Sequence, residues 1–132
     1  MMNRPHLINL NKIADERGNL TFIQFPDYVP FKIKRVYWIY DVPSGQTRGG
    51  HAFKSQKEVI ICLSGSVEVY VSDGKIEESY TLNRPFTALY VPIMTWRQLR
   101  NFSTNTVVMI VNSDYFKEED YIHEYKLFST YE

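Results

Sequence analysis

Long hydrophobic runs are missing from this sequence of 132 residues. The longest, such as Val59–Leu63 and Val107–Val111, span five residues, whereas a membrane-spanning helix needs about 20. The amino end also lacks the apolar core of a secretion signal. We therefore expect a cytoplasmic protein that does not associate with a membrane.

Cysteine and net charge are equally scarce. Cys62 is the only cysteine, so no disulfide can form within the chain, and its apolar neighbours favour a buried thiol over a nucleophile. Lysine plus arginine number 15 and aspartate plus glutamate number 15, which gives zero formal charge. Because no overall field attracts nucleic acid, none is expected as a partner, and an anionic ligand must be bound by a local cluster of cations.

The chain has the size and composition of one folded domain. Hydrophobic residues make up 44% of it and charged residues 23%, which is far from the composition of disordered chains. Aromatic residues reach 15%, and the apolar residues form short runs between turn signals rather than long stretches with helical period. This pattern favours a single domain over residues 1–132 that is built mainly of β-strands.

Two segments show the β pattern clearly. Lys32–Tyr40 is rich in β-branched and aromatic residues, and its alternation places Arg35 and Tyr37 on one face together with two isoleucines. Ser66–Ser72 alternates valines with other residues and ends at Asp73-Gly74, a dipeptide typical of a tight hairpin. These segments predict strands of a sandwich or barrel.

Only the carboxyl end predicts a helix. Ser113 or Asp114 can cap it, the acidic residues 118–120 suit its first turn, and aromatic residues follow at helical spacing over Tyr121–Phe128. The sequence therefore predicts an all-β, antiparallel double-sheet fold with one short C-terminal helix. The open end of such a fold is able to hold a small ligand.

The stretch 45–65 carries the most specific motif. Its glycines, His51 and Glu58 are spaced as in the first motif of the cupins, so the chain resembles a cupin jelly roll. Phe53 stands where that motif normally has a second histidine, and Arg97 where the second motif has a third. Arginine stays protonated and two ligands do not close a transition-metal site. We predict a cupin without a metal or other cofactor.

Four segments extend the resemblance over nearly the whole chain: Asp15–Leu20, Ile33–Tyr37, Arg48–Ala52 and Ser113–Tyr115. In this order they resemble the cupin family of dTDP-sugar 3,4-ketoisomerases, the WxcM-like enzymes. The resemblance implies an isomerase that acts on dTDP-4-keto-6-deoxyglucose in deoxysugar and surface polysaccharide biosynthesis. It also implies a homodimer with exchanged N-terminal strands and a nucleotide sugar bound in the mouth of the barrel.

The implied reaction needs a group that both accepts and returns a proton. Moving a carbonyl from C4 to C3 removes the C3 proton, passes through an enediol and protonates C4. An imidazole suits both steps, since its ordinary pKa is about 6.5. His51 is the expected base, and Tyr37, which matches a family active-site tyrosine, is the expected donor or positioning group for the developing oxyanion.

Other side chains are expected around the substrate. The candidates for binding its diphosphate are the cations Arg17, Arg48, Lys54 and Arg97. Trp96 or another aromatic ring is expected to stack on the pyrimidine. Glu58 has two interpretations: it is a catalytic carboxylate, or it pairs with a lysine or arginine inside the barrel. Arg97, if it is buried, would need a partner of this kind.

Three hypotheses about activity follow from the departures at Phe53 and Arg97, where the family pattern has histidines. The first is a ketoisomerase rearranged around His51, Tyr37 and Arg97. The second is a catalytically impaired cupin that binds a nucleotide sugar or a partner protein. The third is a related epimerase, because the same enediol can accept its proton on another face.

Overall fold

Twelve strands, one 3₁₀ helix and one α-helix make up the computed structural model, which describes residues 3–130. In chain order they are β1 (His6–Asn9), β2 (Ile13–Asp15), β3 (Gly18–Leu20), β4 (Arg35–Ile39), β5 (Arg48–Phe53), β6 (Glu58–Ser64), β7 (Val67–Ser72), β8 (Glu77–Leu82), β9 (Thr87–Val91), β10 (Trp96–Arg100), β11 (Val107–Asn112), the 3₁₀ helix (Glu118–Asp120), β12 (Tyr121–Ile122) and α1 (Tyr125–Phe128).

The strands form two five-stranded sheets and a separate hairpin. The first sheet has the order β1-β9-β6-β11-β4, the second has the order β12-β5-β10-β7-β8, and β2 pairs with β3 alone. All these pairs are antiparallel. The jelly-roll fold class expected from the sequence is confirmed.

The main core lies between the two sheets. Val67, Val69 and Val71 of β7 are at most 1% exposed and belong to one buried cluster with Ile60 and Ile110 of the first sheet. The residues between these valines are only half-buried. The alternation predicted for this segment is therefore confirmed, and it determines which face of β7 points inward.

The carboxyl end only partly follows the prediction. The short α-helix is present at Tyr125–Phe128, but residues 118–120 form a 3₁₀ turn and Tyr121–Ile122 form a strand. The strand arises because its backbone pairs with Ala52 and Phe53 of β5, and this pairing prevails over the helical spacing of the aromatic residues. Within residues 3–130 no helix is long and apolar enough to cross a membrane; the cytoplasmic location stays a prediction.

The outer face of the first sheet is covered only in part. Val29 and Phe31, from the loop between β3 and β4, pack on it and are buried. Trp38, Tyr40 and Leu63 remain exposed in the single chain. An uncovered apolar surface of this kind is typical of a protein–protein contact.

Candidate active site

A cavity of about 700 Å³ opens beside β4 and the loop that leads to β5. Four of the side chains predicted for the site line it: Tyr37, Arg48, His51 and Arg97. They come from β4, β5 and β10, so both sheets contribute to the wall. The volume falls within the range of small-molecule sites.

Two fully buried charges, Arg97 and Glu58, form an ion pair at this site, and each is 1% exposed. Arg97 donates from Nε and Nη2 to the two carboxylate oxygens of Glu58, at 2.9 and 3.0 Å. The same Nη2 donates to the hydroxyl of Tyr37 at 2.8 Å, and that hydroxyl donates to Glu58 Oε2 at 2.9 Å. The three side chains therefore form a closed triangle of hydrogen bonds. Of the two interpretations of Glu58, a catalytic carboxylate or the partner of a cation inside the barrel, the structure shows the second.

Gly49 completes the surroundings of Arg97. Its carbonyl accepts a hydrogen bond from Nη1 of Arg97 at 2.8 Å. Its φ of +67° lies in the left-handed region, and a Cβ atom at this position would overlap the guanidinium. The close approach of the backbone to the arginine therefore explains a glycine two residues before His51.

The charges of this triangle are fixed. Burial alone would raise the pKa of Glu58, but the charge of Arg97 and its hydrogen bonds hold that pKa below its usual value. Burial disfavours the charge of Arg97 as well, yet Glu58 raises the pKa of the guanidinium. Burial first, and then the negative charge of Glu58, raise the pKa of Tyr37. Arg97 and Glu58 are therefore ionised near neutral pH, and Tyr37 keeps its proton.

His51 stands next to this triangle. It is the Cα partner of Arg97 across the β5–β10 pair, and its ring packs against the rings of Phe53 and Tyr121 at 4.7 and 4.8 Å. The residue is 7% exposed, and its Nε2 is buried without a hydrogen-bond partner among residues 3–130. Burial, followed by the charge of Arg97, lowers the pKa of His51 to about 3. The imidazole is therefore neutral and able to accept a proton.

Metal-binding side chains do not cluster at the cavity. In the part of the chain that the structure describes, no three histidine, cysteine, aspartate or glutamate side chains come together in a way that could hold a metal. Phe53, which occupies a ligand position of the cupin motif, is a buried ring. Its contacts with His51 and Tyr121 give it a packing role.

Comparison with known proteins identifies the family. The family described as "FdtA: WxcM-like, C-terminal" matches residues 3–132. The chain belongs to this family. A relative, the TDP-4-oxo-6-deoxy-alpha-D-glucose-3,4-oxoisomerase of Aneurinibacillus thermoaerophilus, is 42% identical over 125 residues, which cover 95% of this chain and 90% of that protein.

Solved structures of ketoisomerases are similar over nearly their whole length. A 3,4-ketoisomerase from Helicobacter canadensis has a TM-score of 0.92 and 36% identity, covering 95% of this chain and 94% of that one. A mutant of the 3,4-ketoisomerase QdtA from Thermoanaerobacterium thermosaccharolyticum, in complex with TDP-4-keto-6-deoxyglucose, has a TM-score of 0.93 and 36% identity. Its alignment covers 98% of this chain and 94% of that one. The family expected from the sequence is confirmed.

Two cations predicted to bind the diphosphate lie away from the cavity of this family member. Arg17 is at the turn of the β2–β3 hairpin, where its side chain is 87% exposed and pairs with Asp15 at 2.7 Å. Lys54 follows the end of β5 and is exposed. Neither belongs to the cavity wall in the single chain.

Trp96 also points away from the cavity. It precedes Arg97 on β10, and since side chains alternate along a strand, the two point to opposite faces of the sheet. The indole packs against Tyr125 at 5.4 Å and Phe128 at 6.1 Å between ring centroids. The indole is therefore not part of the cavity wall, and its stacking on a pyrimidine stays a prediction.

Two residues of the cavity wall were missed by the sequence analysis. Arg35 was placed on the same face as Tyr37 without a role, although a cation on an otherwise apolar strand face was a usable signal. Tyr121 was assigned to the C-terminal helix. Both line the cavity, and only the pairing of β12 with β5 brings Tyr121 there.

Proposed function

We propose that this protein is a sugar 3,4-ketoisomerase that acts on a TDP-linked 4-keto-6-deoxyhexose and serves deoxysugar and surface polysaccharide biosynthesis. The names of its relatives support the substrate class. The observation that carries the proposal is His51, a buried imidazole without a hydrogen-bond partner among the described residues, on the wall of the cavity beside Arg97. Such a group is a base that needs a substrate to complete its contacts.

His51 starts the reaction by taking the proton from C3 of the sugar. The electron pair of the broken C–H bond forms the C3–C4 double bond, and the C4 carbonyl oxygen becomes negative. The proton of the C3 hydroxyl moves to the C4 oxygen, which leaves the negative charge on the C3 oxygen. That oxygen forms the new carbonyl as C4 takes a proton from His51, which by then is exchangeable with solvent. Atoms and electrons balance within the sugar, so the isomerisation consumes no oxidant or reductant.

Arg97 and Tyr37 stabilise the negative charge that develops on the sugar oxygens. Both line the cavity beside His51, and their hydrogen bonds to Glu58 fix them before the substrate arrives. Fixed dipoles and charges in a site sheltered from water stabilise an oxyanion without reorganising. The positive charge of Arg97 also keeps His51 neutral, because it lowers the pKa of the imidazole after burial has done so.

Arg48 is the best candidate for the diphosphate. It lies at the exposed start of β5 and lines the cavity. Arg97, which was also a candidate, already donates to Glu58, Tyr37 and Gly49. We therefore assign the diphosphate to the exposed guanidinium and the reacting end of the sugar to the buried one.

We also propose a homodimer that exchanges N-terminal strands. All six strand residues of the β2–β3 hairpin are exposed in the single chain, including the apolar Ile13 and Leu20. A groove of about 510 Å³ next to the hairpin is lined largely by apolar side chains such as Phe22 and Leu63. Here β1 pairs with β9 of its own chain; in the exchanged dimer the partner's β1 makes the same pairs, and Arg17 is carried toward the partner subunit.

Sedimentation equilibrium tests the dimer. The unmodified protein should sediment at twice the mass of one chain, and a double substitution of Leu20→Asp with Leu63→Asp should give monomers, because two charges would be buried in the contact. A monomer at all concentrations would overturn this part of the proposal. The matched control is Ile76→Asp, since Ile76 is exposed beyond β7 and does not line the groove.

Isotope exchange tests the reaction. Incubation with TDP-4-keto-6-deoxyglucose in deuterated water should place deuterium at C4 and give a 3-keto sugar, both visible by NMR. His51→Asn should abolish the exchange without unfolding the protein. His6→Asn is the control, because that imidazole lies on β1 and does not line the cavity.

Isotope exchange, together with thermal melting in the presence of TDP, distinguishes the ketoisomerase from the epimerase and the binding protein. Exchange with the carbonyl still at C4 would indicate an epimerase. Thermal stabilisation by TDP without any exchange would indicate a binding protein. Either result would overturn the ketoisomerase proposal.

A further inference from the structure

Among the described residues, Arg35 is the one cation of the cavity wall that has no role in the proposed reaction. It lies on β4, two residues before Tyr37, so both side chains are on the same face of the strand. The guanidinium lies over the ring of Tyr37, 5.2 Å from its centroid, and over that of Phe116 at 5.7 Å. Contacts of this kind attract the cation to the face of each ring.

A buried amide holds Arg35 in this place. Nη2 of Arg35 donates to Oε1 of Gln56 at 3.1 Å, and Gln56 is 1% exposed. The same Oε1 accepts from Asn112 at 2.9 Å, and the Gln56 amide donates to the Tyr115 carbonyl at 3.0 Å. Because both polar atoms of the Gln56 side chain make hydrogen bonds, the amide cannot turn away from the arginine without breaking several of them.

The other side of Arg35 reaches the second sheet. Its Nη1 donates to the hydroxyl of Tyr121 at 3.4 Å. The ring of Tyr121 packs against His51 at 4.8 Å and against Phe53 at 4.6 Å. Arg35 therefore connects β4 of the first sheet with β12 of the second at the cavity that holds the imidazole.

We propose that Arg35 is a positioning residue of the ketoisomerase reaction, which holds Tyr37 and Tyr121 in the wall of the cavity that contains His51. The inference rests on the proposed function. Arg35 acts through these two tyrosines and does not itself touch the reacting atoms. The planar guanidinium of Arg35 bonds two residues at once, because one nitrogen donates to Gln56 while another donates to Tyr121.

The charge of Arg35 has a second, smaller effect at His51. The charged and titratable groups around this imidazole are Arg97, Glu58, Tyr37, Tyr121, His123 and Arg35. Burial and Arg97 do most to lower the pKa of His51, Glu58 opposes them, and His123 and Arg35 lower it further. Removing the charge of Arg35 therefore raises the pKa of His51 and moves the acidic limb of the activity profile to higher pH.

Arg35→Gln and Arg35→Lys test the proposal in the isotope-exchange assay. Both should lower kcat by about 10²-fold, the loss typical when a reacting group is displaced by about 1 Å, while KM for the TDP-sugar changes little. Lysine keeps the charge but not the fork, so the acidic limb should stay in place for Arg35→Lys and move up for Arg35→Gln. Tyr121→Phe, which removes one contact of the fork, should cost less than either.

Arg100→Gln is the matched control. Arg100 also bonds a side-chain oxygen acceptor and lies over a tyrosine ring, Tyr70 at 5.1 Å, but it does not line the cavity. Its kcat and pH profile should equal those of the unmodified protein. Near-ultraviolet circular dichroism and thermal melting measure the folded fraction of each variant, so that lost protein is not counted as lost turnover.

Three outcomes would overturn the proposal. Folded Arg35→Gln that matches Arg100→Gln in kcat and pH profile would show that the contacts do not matter for the reaction. A rise in KM with unchanged kcat would make Arg35 a substrate-binding residue instead. Absence of exchange by the unmodified protein would overturn the proposed function and this inference together, which the first two outcomes would not do.

Discussion

Strand β10 carries two arginines, three residues apart, which form ion pairs in opposite environments. Arg97 points inward to Glu58, and both side chains are 1% exposed. Arg100 points outward to Glu68 with two hydrogen bonds of 3.2 and 3.3 Å, and the two side chains are 37% and 25% exposed. Because side chains alternate along a strand, an odd spacing is enough to place the two guanidinium groups on opposite faces.

The difference shows that the same pair of residue types has two separate uses. Water surrounds the outer pair, screens its attraction and would replace its hydrogen bonds if they broke. The inner pair has no such replacement. Arg97 depends on Glu58, Tyr37 and Gly49 for its hydrogen bonds, and Glu58 depends on Arg97 and Tyr37. The inner pair therefore fixes the geometry of the cavity wall, whereas the outer pair only covers the surface of the second sheet.

The largest effect is expected from removing one charge of the inner pair. Glu58→Gln would leave Arg97 charged, buried and without its counter-ion, which costs about 3–5 kcal/mol in comparable buried pairs. Urea denaturation of the two proteins measures this loss of unfolding free energy. Isotope exchange should also fall, because Tyr37 loses its charged acceptor.

The control for this prediction is Glu68→Gln. It makes the same chemical change in the outer pair, and we expect an unfolding free energy within the scatter of repeated measurements. Equal losses for the two variants would contradict the division between an inner and an outer pair.

Much of the inner pair was visible in the sequence, since the spacing of His51 and Glu58 matched a cupin motif and Arg97 stood at a ligand position. An arginine at an inward position requires a counter-charge, and Glu58 was one of its expected partners. The sequence did not show which residues of β10 point into the barrel and which point outward. Trp96 and Arg97 were therefore both assigned to the site, although neighbours on a strand point to opposite faces.

The parts that failed depend on long-range pairing. The helical spacing from Tyr121 onward is real, but two backbone pairs with β5 decide the local conformation instead. For the same reason the link from Arg35 to Tyr121, 86 positions apart, had no local signal. The alternation of β7 could be predicted because the polarity of each residue indicates which face of the sheet its side chain occupies.

The next largest effect is expected at Gly49. Gly49→Ala adds a Cβ atom that overlaps the guanidinium of Arg97, so the loss of unfolding free energy should exceed the roughly 1–2 kcal/mol that a left-handed backbone costs an alanine. Gly74→Ala is the control, since its φ is +97° but its nearest neighbour, Phe128, is 4.0 Å away. Thermal or urea unfolding compares the two, and an equal loss would mean that the inner arginine moves aside freely.

The pH dependence of stability sharpens the same comparison. The pKa of His51 is lowered to about 3 by burial and by Arg97. Between pH 6.5, the ordinary pKa of an imidazole, and pH 3, His51 is therefore protonated in the unfolded chain but not in the folded one. Stability should therefore fall as the pH drops from 6.5 toward 3, by up to about 1.4 kcal/mol per pH unit from this one group. Urea denaturation across this range should show a shallower slope for His51→Asn, and identical slopes would contradict a buried neutral imidazole.

The smallest expected effect is that of salt on the coupling energy of each ion pair, and it distinguishes the outer pair from the inner pair. A double-mutant cycle of Arg100→Gln with Glu68→Gln measures the coupling of the outer pair, and this coupling should vanish at 1 M salt, where charges are screened beyond about 3 Å. The corresponding cycle of Arg97→Gln with Glu58→Gln should keep its coupling at the same salt concentration, because ions cannot approach side chains that are 1% exposed. If salt weakened both couplings equally, water and ions would have access to the inner pair, and the sheltered site that the enediol reaction requires would not exist.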